Sequence, residues 1–115
     1  MKQVEVTLQM LENAKCVSST NCIVANVLNQ HKAQDVVSMT VVPELFDNGW
    51  STVIFKDGPP VRIILTENNN KIGMIFDNLD LTNEEKLEKL NEAGLKIDIQ
   101  TLENSTVFKG DYKEK

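Results

Sequence analysis

Two cysteines and one histidine are the residues of this sequence with the greatest capacity for covalent chemistry. Cys22 directly follows a Ser-Ser-Thr-Asn run at residues 18–21, whose side chains are typical of a helix start. In the first turn of a helix, the macrodipole lowers a thiol pKa. A helical projection also places Cys22 opposite the apolar stripe, which favours exposure. Cys22 is therefore the reactive-thiol candidate of the chain.

A reactive cysteine needs a proton acceptor, and His31 is the only imidazole in the chain. Cys22 and His31 lie on the same predicted helix, nine positions apart. At the standard helical rise that is roughly 13 Å along the axis, with the two side chains on opposite sides. They cannot form a catalytic pair, so we predict that Cys22 belongs to the scaffold and that the chain has no catalytic residue. His31 is interpreted as a structural residue that caps carbonyls or fills the edge of the core.

No recognised metal or phosphate motif accompanies these residues. Cys16, Cys22 and His31 supply three of the four ligands that a structural zinc site takes, and the C-x5-C spacing is not a recurrent one. The sequence has no Gly-rich phosphate loop, no G-x-S-x-G turn and no H-E-x-x-H motif. We therefore predict a non-enzymatic protein with neither metal nor cofactor. A small thiol-dependent enzyme that uses Cys22 is the alternative from the enzyme class.

A binding role has better support from the aromatic residues. The segment Phe46-Asp47-Asn48-Gly49-Trp50 places two aromatic side chains beside a glycine turn between predicted strands, where anchoring residues are commonly presented. Arg62 lies on the strand that pairs across the following hairpin. Phe46, Trp50 and Arg62 are thus the ligand-binding candidates, and Trp50 with Arg62 could hold an anionic planar ligand by stacking and charge. The alternative is a Trp that covers the sheet end and an Arg on a solvent face.

Composition and charge restrict the kinds of partner. The formal net charge is -5 and the sequence pI about 4.8, so the long-range field repels phosphate backbones. Eleven of the twelve basic residues are Lys, which leaves Arg62 as the one guanidinium for clamping phosphate. Direct binding of nucleic acid is not expected. No window approaches the about eighteen apolar residues of a membrane span, and the N-terminal residues lack the apolar core of a secretory signal. We therefore expect a cytoplasmic protein that does not enter a membrane.

The elements that must position these residues are predicted to form one α+β domain at residues 1–108, followed by a charged C-terminal tail at 109–115. Apolar periodicity predicts one antiparallel sheet of about five to six strands, with two N-terminal helices and one C-terminal helix packed on it. The predicted strands lie at 4–8, 36–42, 50–56, 61–67, 71–76 and 95–100, and the predicted helices at 8–15, 21–32 and 82–93. Residues 106–109 are a further candidate for an edge strand.

Local signals refine this outline. The three asparagines at 68–70 tolerate positive φ and predict a tight hairpin. Thr82 and Glu85 have the spacing of a capping box, and Gly94 suits the residue that follows a helix. Sheet edges with few charges are expected to be exposed, which favours homodimerisation.

The order of elements resembles a group of small phage- and prophage-encoded proteins. These begin with a strand whose Thr enters a short helix, continue with a C-[PI]-x-A-x-x-L helix and strands, and close with a short helix that ends near Gly and a last strand. The matching segments here are Val6-Thr7, Cys22-Ile23-Val24-Ala25-Asn26-Val27-Leu28, Leu90-Asn91-Glu92-Ala93-Gly94 and residues 96–101. Ile23 stands where Pro is common. The resemblance implies an accessory protein that acts on a host factor in the host cytoplasm, and it carries over no catalytic residues.

Three functional hypotheses follow. The first is an inhibitor that docks on a host protein through protein–protein interaction, which predicts a stable complex in a pull-down. The second is an anti-defence sponge that sequesters a small nucleotide signal, which predicts a nucleotide that co-purifies in a pocket between subunits. The enzyme hypothesis predicts turnover that is lost in Cys22→Ala.

Overall fold

In the computed structural model, residues 1–109 are described, and they form four helices and five strands. The strands are β1 (Gln3–Val4), β2 (Val36–Val42), β3 (Trp50–Phe55), β4 (Val61–Ile64) and β5 (Ile97–Asp98). The helices are α1 (Leu8–Asn13), α2 (Ile23–Gln30), α3 (Glu67–Phe76) and α4 (Asn83–Glu92). The α+β class is confirmed.

The strands form two small antiparallel sheets in place of the single predicted sheet. The meander β2-β3-β4 makes a three-stranded sheet, in which Thr52 is paired with Thr40 on one side and Arg62 on the other. The first and last strands pair with each other, Val4 opposite Ile97, and do not join the meander. The prediction of one sheet with five to six strands is therefore wrong, and so is the count of three helices.

The largest error concerns residues 67–76, where a hairpin and a strand were predicted and α3 is found. Thr66 caps this helix by accepting a hydrogen bond from Asn69 N at 3.2 Å. Glu67 and Lys71 form an i,i+4 ion pair at 2.7 Å on its exposed side. The buried residues recur at helical spacing, at Asn69, Ile72, Gly73 and Phe76. The asparagines are therefore the first turn of a helix and not the tip of a hairpin.

Helix starts and stops were predicted more accurately. Thr7, the residue that the family resemblance places at the entry to a short helix, is the N-cap of α1 and accepts from Met10 N. Thr82 and Glu85 form the predicted capping box at the start of α4, with both reciprocal hydrogen bonds present. Gly94 follows α4 with φ +64°, a conformation that glycine adopts without steric cost.

The hydrophobic core is almost entirely aliphatic, as the low aromatic content implies. The inner face of the three-stranded sheet contributes Met39, Val41, Val53 and Ile63, which belong to one buried cluster with α2 and α3. Phe76, at the end of α3, is the one aromatic residue in that cluster that is completely buried. Helices α1 and α4 pack on each other beside it.

A buried polar network links the two sheets through α3. The Asn69 amide donates to Asp98 O in β5 and to Gln100 Oε1, both at 2.9 Å, and accepts from Asp98 N at 2.8 Å. Gln100 in turn donates to Ile64 O in β4 at 2.9 Å. The Asp98 carboxylate accepts from Thr66 Oγ1 at 2.6 Å. Every link in this chain satisfies a group that would be costly to bury unpaired.

Both edges of the three-stranded sheet are occupied by the protein's own groups. The segment after Gln100 returns along β4, where Ile63 bridges to Val107, so the predicted edge pairing of residues 106–109 is confirmed. On the β2 edge, Met39 exchanges two hydrogen bonds with the Asn29 side chain, and Val41 N donates to Ser19 O at 2.8 Å. The reason given for homodimerisation, exposed sheet edges, does not hold at these positions.

Within residues 1–109, no helix has the length and apolarity that a membrane crossing requires. The predicted C-terminal tail at 109–115 lies, apart from Lys109, outside the described residues.

Candidate binding surface

The segment at residues 43–49, which connects β2 to β3, presents two apolar side chains to solvent; we call it the 43–49 loop. Phe46 is 94% exposed and Leu45 is 68% exposed. Among the described residues they are the one pair of large hydrophobic side chains that are both exposed and adjacent in sequence. Exposed apolar residues scattered singly are ordinary, but a contiguous pair at the tip of a loop is not.

The loop owes its shape to Asn70 in the first turn of α3. Asn70 Oδ1 accepts from Glu44 N at 2.9 Å and from Gly49 N at 3.1 Å. Asn70 Nδ2 donates to Glu44 O at 2.8 Å. One amide therefore satisfies backbone groups at both ends of the loop. Leu45 and Phe46 therefore lie between two backbone positions that Asn70 fastens to α3.

Close packing reinforces this clamp. A Cβ on Gly49 would lie 2.3 Å from Val42 O and 2.5 Å from Asn70 Oδ1, so only glycine fits there. On α3, a Cβ on Gly73 would lie 3.0 Å from Pro43 Cβ, which shows how tightly the helix approaches the start of the loop. Gly49 O also accepts from Leu65 N at 2.9 Å.

The structure brings Trp50 and Arg62 together, as the sequence predicted. The Arg62 guanidinium carbon lies 4.7 Å from the Trp50 ring centroid, and Phe108 packs on Trp50 at 6.3 Å between centroids with a 37° interplanar angle. Their meeting follows from the register, because Trp50 is opposite Ile64 and Arg62 is its diagonal neighbour. A shallow groove beside them is lined by Glu44, Asp47, Asn48, Trp50, Ile64 and Phe108. Phe46 does not line it, so the third predicted ligand residue stands apart from the other two.

This groove is poorly suited to the anionic planar ligand that was predicted for it. The Arg62 guanidinium already lies over the Trp50 ring, so that ring face is occupied by the protein itself. Glu44 and Asp47 are both among the residues that line the groove, and their negative charges repel an anion. The same carboxylates flank Leu45 and Phe46 in the loop, where they would favour a basic partner surface.

Cys22 is placed differently from its predicted position in the first helical turn. It is the N-cap of α2, and its sulfur accepts a hydrogen bond from Ala25 N at 3.4 Å. The side chain is only 3% exposed, so the expected exposure is wrong. Burial raises the pKa of the Cys22 thiol above its ordinary value of 9.0, an effect larger than the opposing hydrogen bond from Ala25. The protonated, buried sulfur supports the interpretation of Cys22 as part of the scaffold.

His31 is the C-cap of α2, with its backbone N–H donating to Leu28 O, and its side chain is exposed. This bond comes from the backbone, so the predicted capping by the imidazole stays a prediction, and the exposed ring does not fill the edge of the core. Across the 109 described residues, no three His, Cys, Asp or Glu side chains cluster in a way that could hold a metal ion.

Two functional candidates, Asn70 and the pair Cys16 and Lys86, escaped the sequence analysis. Lys86 Nζ lies 3.0 Å from Cys16 Sγ, although 70 residues separate them. The burial of Lys86 could have been predicted, because Lys86 lies four positions before Leu90 and therefore on the same face of the helix. Asn70 could have been recognised only after residues 67–76 were assigned to a helix.

Comparisons with protein families, with curated proteins and with solved structures found no match to this chain.

Proposed function

We propose that this protein is a non-enzymatic binding protein that modulates another protein by docking the 43–49 loop onto it. The observation that carries the proposal is the 94% exposure of Phe46 in a loop whose two ends are fastened by the Asn70 side chain. Phe46 and Leu45 are the anchors, and α3 is the support that orients them.

A fixed apolar anchor favours protein binding for an energetic reason. Aromatic side chains that enter a pocket supply much of the free energy of binding at protein interfaces. Ordering a flexible loop on binding costs part of that gain, and the Asn70 hydrogen bonds remove this cost in advance. The exposed pair would otherwise be a liability for solubility, which a binding role explains.

The charges around the loop define the partner's chemistry. Glu44 and Asp47 flank the anchors, and the chain as a whole carries a formal charge of -5. The complementary surface is an apolar pocket with Lys or Arg side chains at its rim. On the phage resemblance, the partner is a host protein and the effect of docking is inhibition. A nucleotide sponge is disfavoured by the two carboxylates at the Trp50 groove, and a Cys22-dependent enzyme by the burial of that thiol.

Affinity capture from a lysate of the producing cell, with matched variants, tests the proposal. Phe46→Ser removes the principal anchor without touching a buried contact. Leu79→Ser is the control, because Leu79 is 74% exposed but belongs to the α3–α4 connection and not to the loop. A specific partner is expected with the wild type and with Leu79→Ser, and not with Phe46→Ser. The purified partner should then bind in calorimetry with at least about tenfold weaker affinity for Phe46→Ser, the loss typical of a hot-spot residue.

Asn70→Ala separates the support from the anchors. The substitution keeps both Leu45 and Phe46 but removes the side-chain hydrogen bonds that hold the two ends of the loop. Affinity for the same partner should therefore fall although both apolar side chains are still present. Equal binding by wild type and Phe46→Ser would refute the proposal. A nucleotide released by heating the purified protein, detected by native mass spectrometry, would support the sponge instead.

A further inference from the structure

Cys16 and Lys86 form a sulfur–nitrogen contact that the proposed binding role does not use. Cys16 lies in the turn between α1 and α2, and its Sγ donates to Phe76 O at 3.3 Å. Lys86 projects from the buried side of α4 and donates to the same sulfur at 3.0 Å. The contact therefore joins the α1–α2 connection to α4 at the end of α3.

The setting of Lys86 is unusual for a lysine. Lys86 is only 2% exposed, and lysines are almost never buried without a charged partner. Among the described residues, no carboxylate lies within ion-pair distance of it; the groups around Nζ are Cys16 Sγ and the Phe76 ring, whose centroid is 4.8 Å away. The Cys16 sulfur is thus the hydrogen-bond partner of this buried amine.

Cys16 differs from Cys22 in its access to solvent. Cys16 is half-buried, whereas Cys22 is buried at the N-cap of α2. The adjacent Val17 is 72% exposed and is held at φ +54° with its N–H donating to Asp77 Oδ1 at 2.8 Å. Cys16 is therefore the more accessible of the two cysteines, and the amine contacts its sulfur from the buried side of α4.

We propose that Cys16 and Lys86 are an oxidative modification site, at which a peroxide converts the sulfur–nitrogen contact into a covalent S–N crosslink. In the first step the Cys16 sulfur attacks hydrogen peroxide; the O–O bond breaks, an S–O bond forms, and water leaves. The sulfur is oxidised to a sulfenic acid and the peroxide is reduced. In the second step the Lys86 nitrogen attacks the sulfur, the S–O bond breaks, and the leaving oxygen takes a proton from the amine as water. The net change is the loss of one hydrogen from each residue, with one peroxide becoming two waters.

The crosslink would tie α4 to the α1–α2 connection across a sequence separation of 70 residues. Closing a long loop covalently restricts the unfolded chain, so oxidation should raise the thermal stability of the protein. A thiol reductant should reverse both the crosslink and the rise in melting temperature, as for other sulfenyl derivatives.

Peptide mapping of the peroxide-treated protein without reduction tests the site, with Cys22→Ser as the starting protein. That background excludes a Cys16–Cys22 disulfide, and serine preserves the helix cap. The expected product is a linked pair of peptides that contain Cys16 and Lys86, with a mass equal to their sum less two hydrogens. It should disappear on treatment with dithiothreitol.

Lys86→Met, which keeps the buried volume but removes the amine, should give only stepwise oxygen additions at Cys16. Its fold is checked by its melting curve before oxidation. The inference is overturned if the folded Cys22→Ser protein yields sulfinic acid at Cys16 with no linked peptide. It is equally overturned by a linked peptide that carries one additional oxygen and is still cleaved by dithiothreitol, since that behaviour identifies an S–O–N bridge and not a direct S–N bond.

Discussion

Asn69 and Asn70 are neighbours in the sequence, yet their amides bond to different parts of the molecule. Because successive residues on a helix are rotated by about 100°, Asn69 faces the interior and bonds to β5, while Asn70 faces the 43–49 loop. Each amide donates and accepts, so each can satisfy a backbone carbonyl and a backbone N–H together. At the scale of single residues, the function of a side chain here is set by its orientation and burial more than by its type.

Gly49→Ala is expected to lower the free energy of unfolding by about 2 kcal/mol or more, the usual cost of forcing an additional carbon into a packed site. The new Cβ would overlap Val42 O, a backbone atom, and Asn70 Oδ1, which two hydrogen bonds hold in place. Urea denaturation measures the loss. Asn48→Ala, at the exposed neighbouring position, should change stability little; equal effects of the two substitutions would show that the loop does not require glycine.

The Cys22 thiol predicts a stability change on the alkaline side. Burial raises its folded-state pKa above the ordinary value of 9.0, so the unfolded chain releases this proton at a lower pH than the folded chain does. The thiol's contribution to stability is therefore constant below about pH 9 and is lost as the pH rises further. Denaturation of wild type and Cys22→Ser across pH 7 to 10.5 should show a steeper alkaline decline in the wild type. Parallel curves would mean that the buried thiol does not resist ionisation.

At the scale of elements, the sequence predicted those helix ends and strands that are determined by interactions between residues close together in the chain. The hydroxyl caps at Thr7 and Thr82, the glycine after α4 and the alternation along β2 to β4 all act within a few residues, and all were predicted. The α3 segment was misassigned because its isoleucines and central glycine favour other structures locally. Its helix is stabilised instead by distant contacts, from Asn69 to Asp98 and from Gly73 to Pro43.

In the candidate site, too, contacts between neighbouring strands were predictable and contacts between distant residues were not. The approach of Arg62 to Trp50 follows from hairpin register and was predictable, because the two strands are joined by a short turn. The clamp from Asn70 to Glu44 and the contact from Lys86 to Cys16 span 26 and 70 residues, and no periodicity in a single sequence encodes such pairs.

Thr82→Ala tests how much the capping box contributes to α4. The substitution leaves the Glu85 N–H without its hydroxyl partner, so the free energy of unfolding should fall by about 1 kcal/mol. Equilibrium denaturation provides the measurement, and Asn83→Ala is the neighbouring control. A loss no larger than that of the control would indicate that water replaces the cap without cost.

At the scale of the whole molecule, one buried hydrogen-bond network connects two small sheets, each of which would have little stability by itself. A two-stranded sheet of two residues per strand has little stability of its own. The Asn69 and Gln100 amides connect it to α3 and to β4, so the first strand, the last strand and the meander are held in one structure.

Asn69→Ala should therefore destabilise the entire protein and not only α3. It leaves Asp98 N, Asp98 O and Gln100 Oε1 with fewer partners in the interior, a loss of at least about 3 kcal/mol at typical costs for unpaired buried groups. Asn68→Ala, at a partly exposed position of the same turn, is the matched control. Hydrogen exchange should show loss of protection in β1, β5 and the meander together; loss confined to α3 would contradict a joining role.

The occupied sheet edges also constrain how a partner can attach. A peptide that docked by strand augmentation on the β2 side would have to displace the Asn29 amide from Met39 and Ser19 O from Val41, and on the β4 side the chain returning through Val107. Backbone-directed recognition, which tolerates many peptide sequences, is thus closed at these positions. Under the proposed docking of the 43–49 loop, recognition would depend on the shape of its side chains, and we would expect a single cognate target.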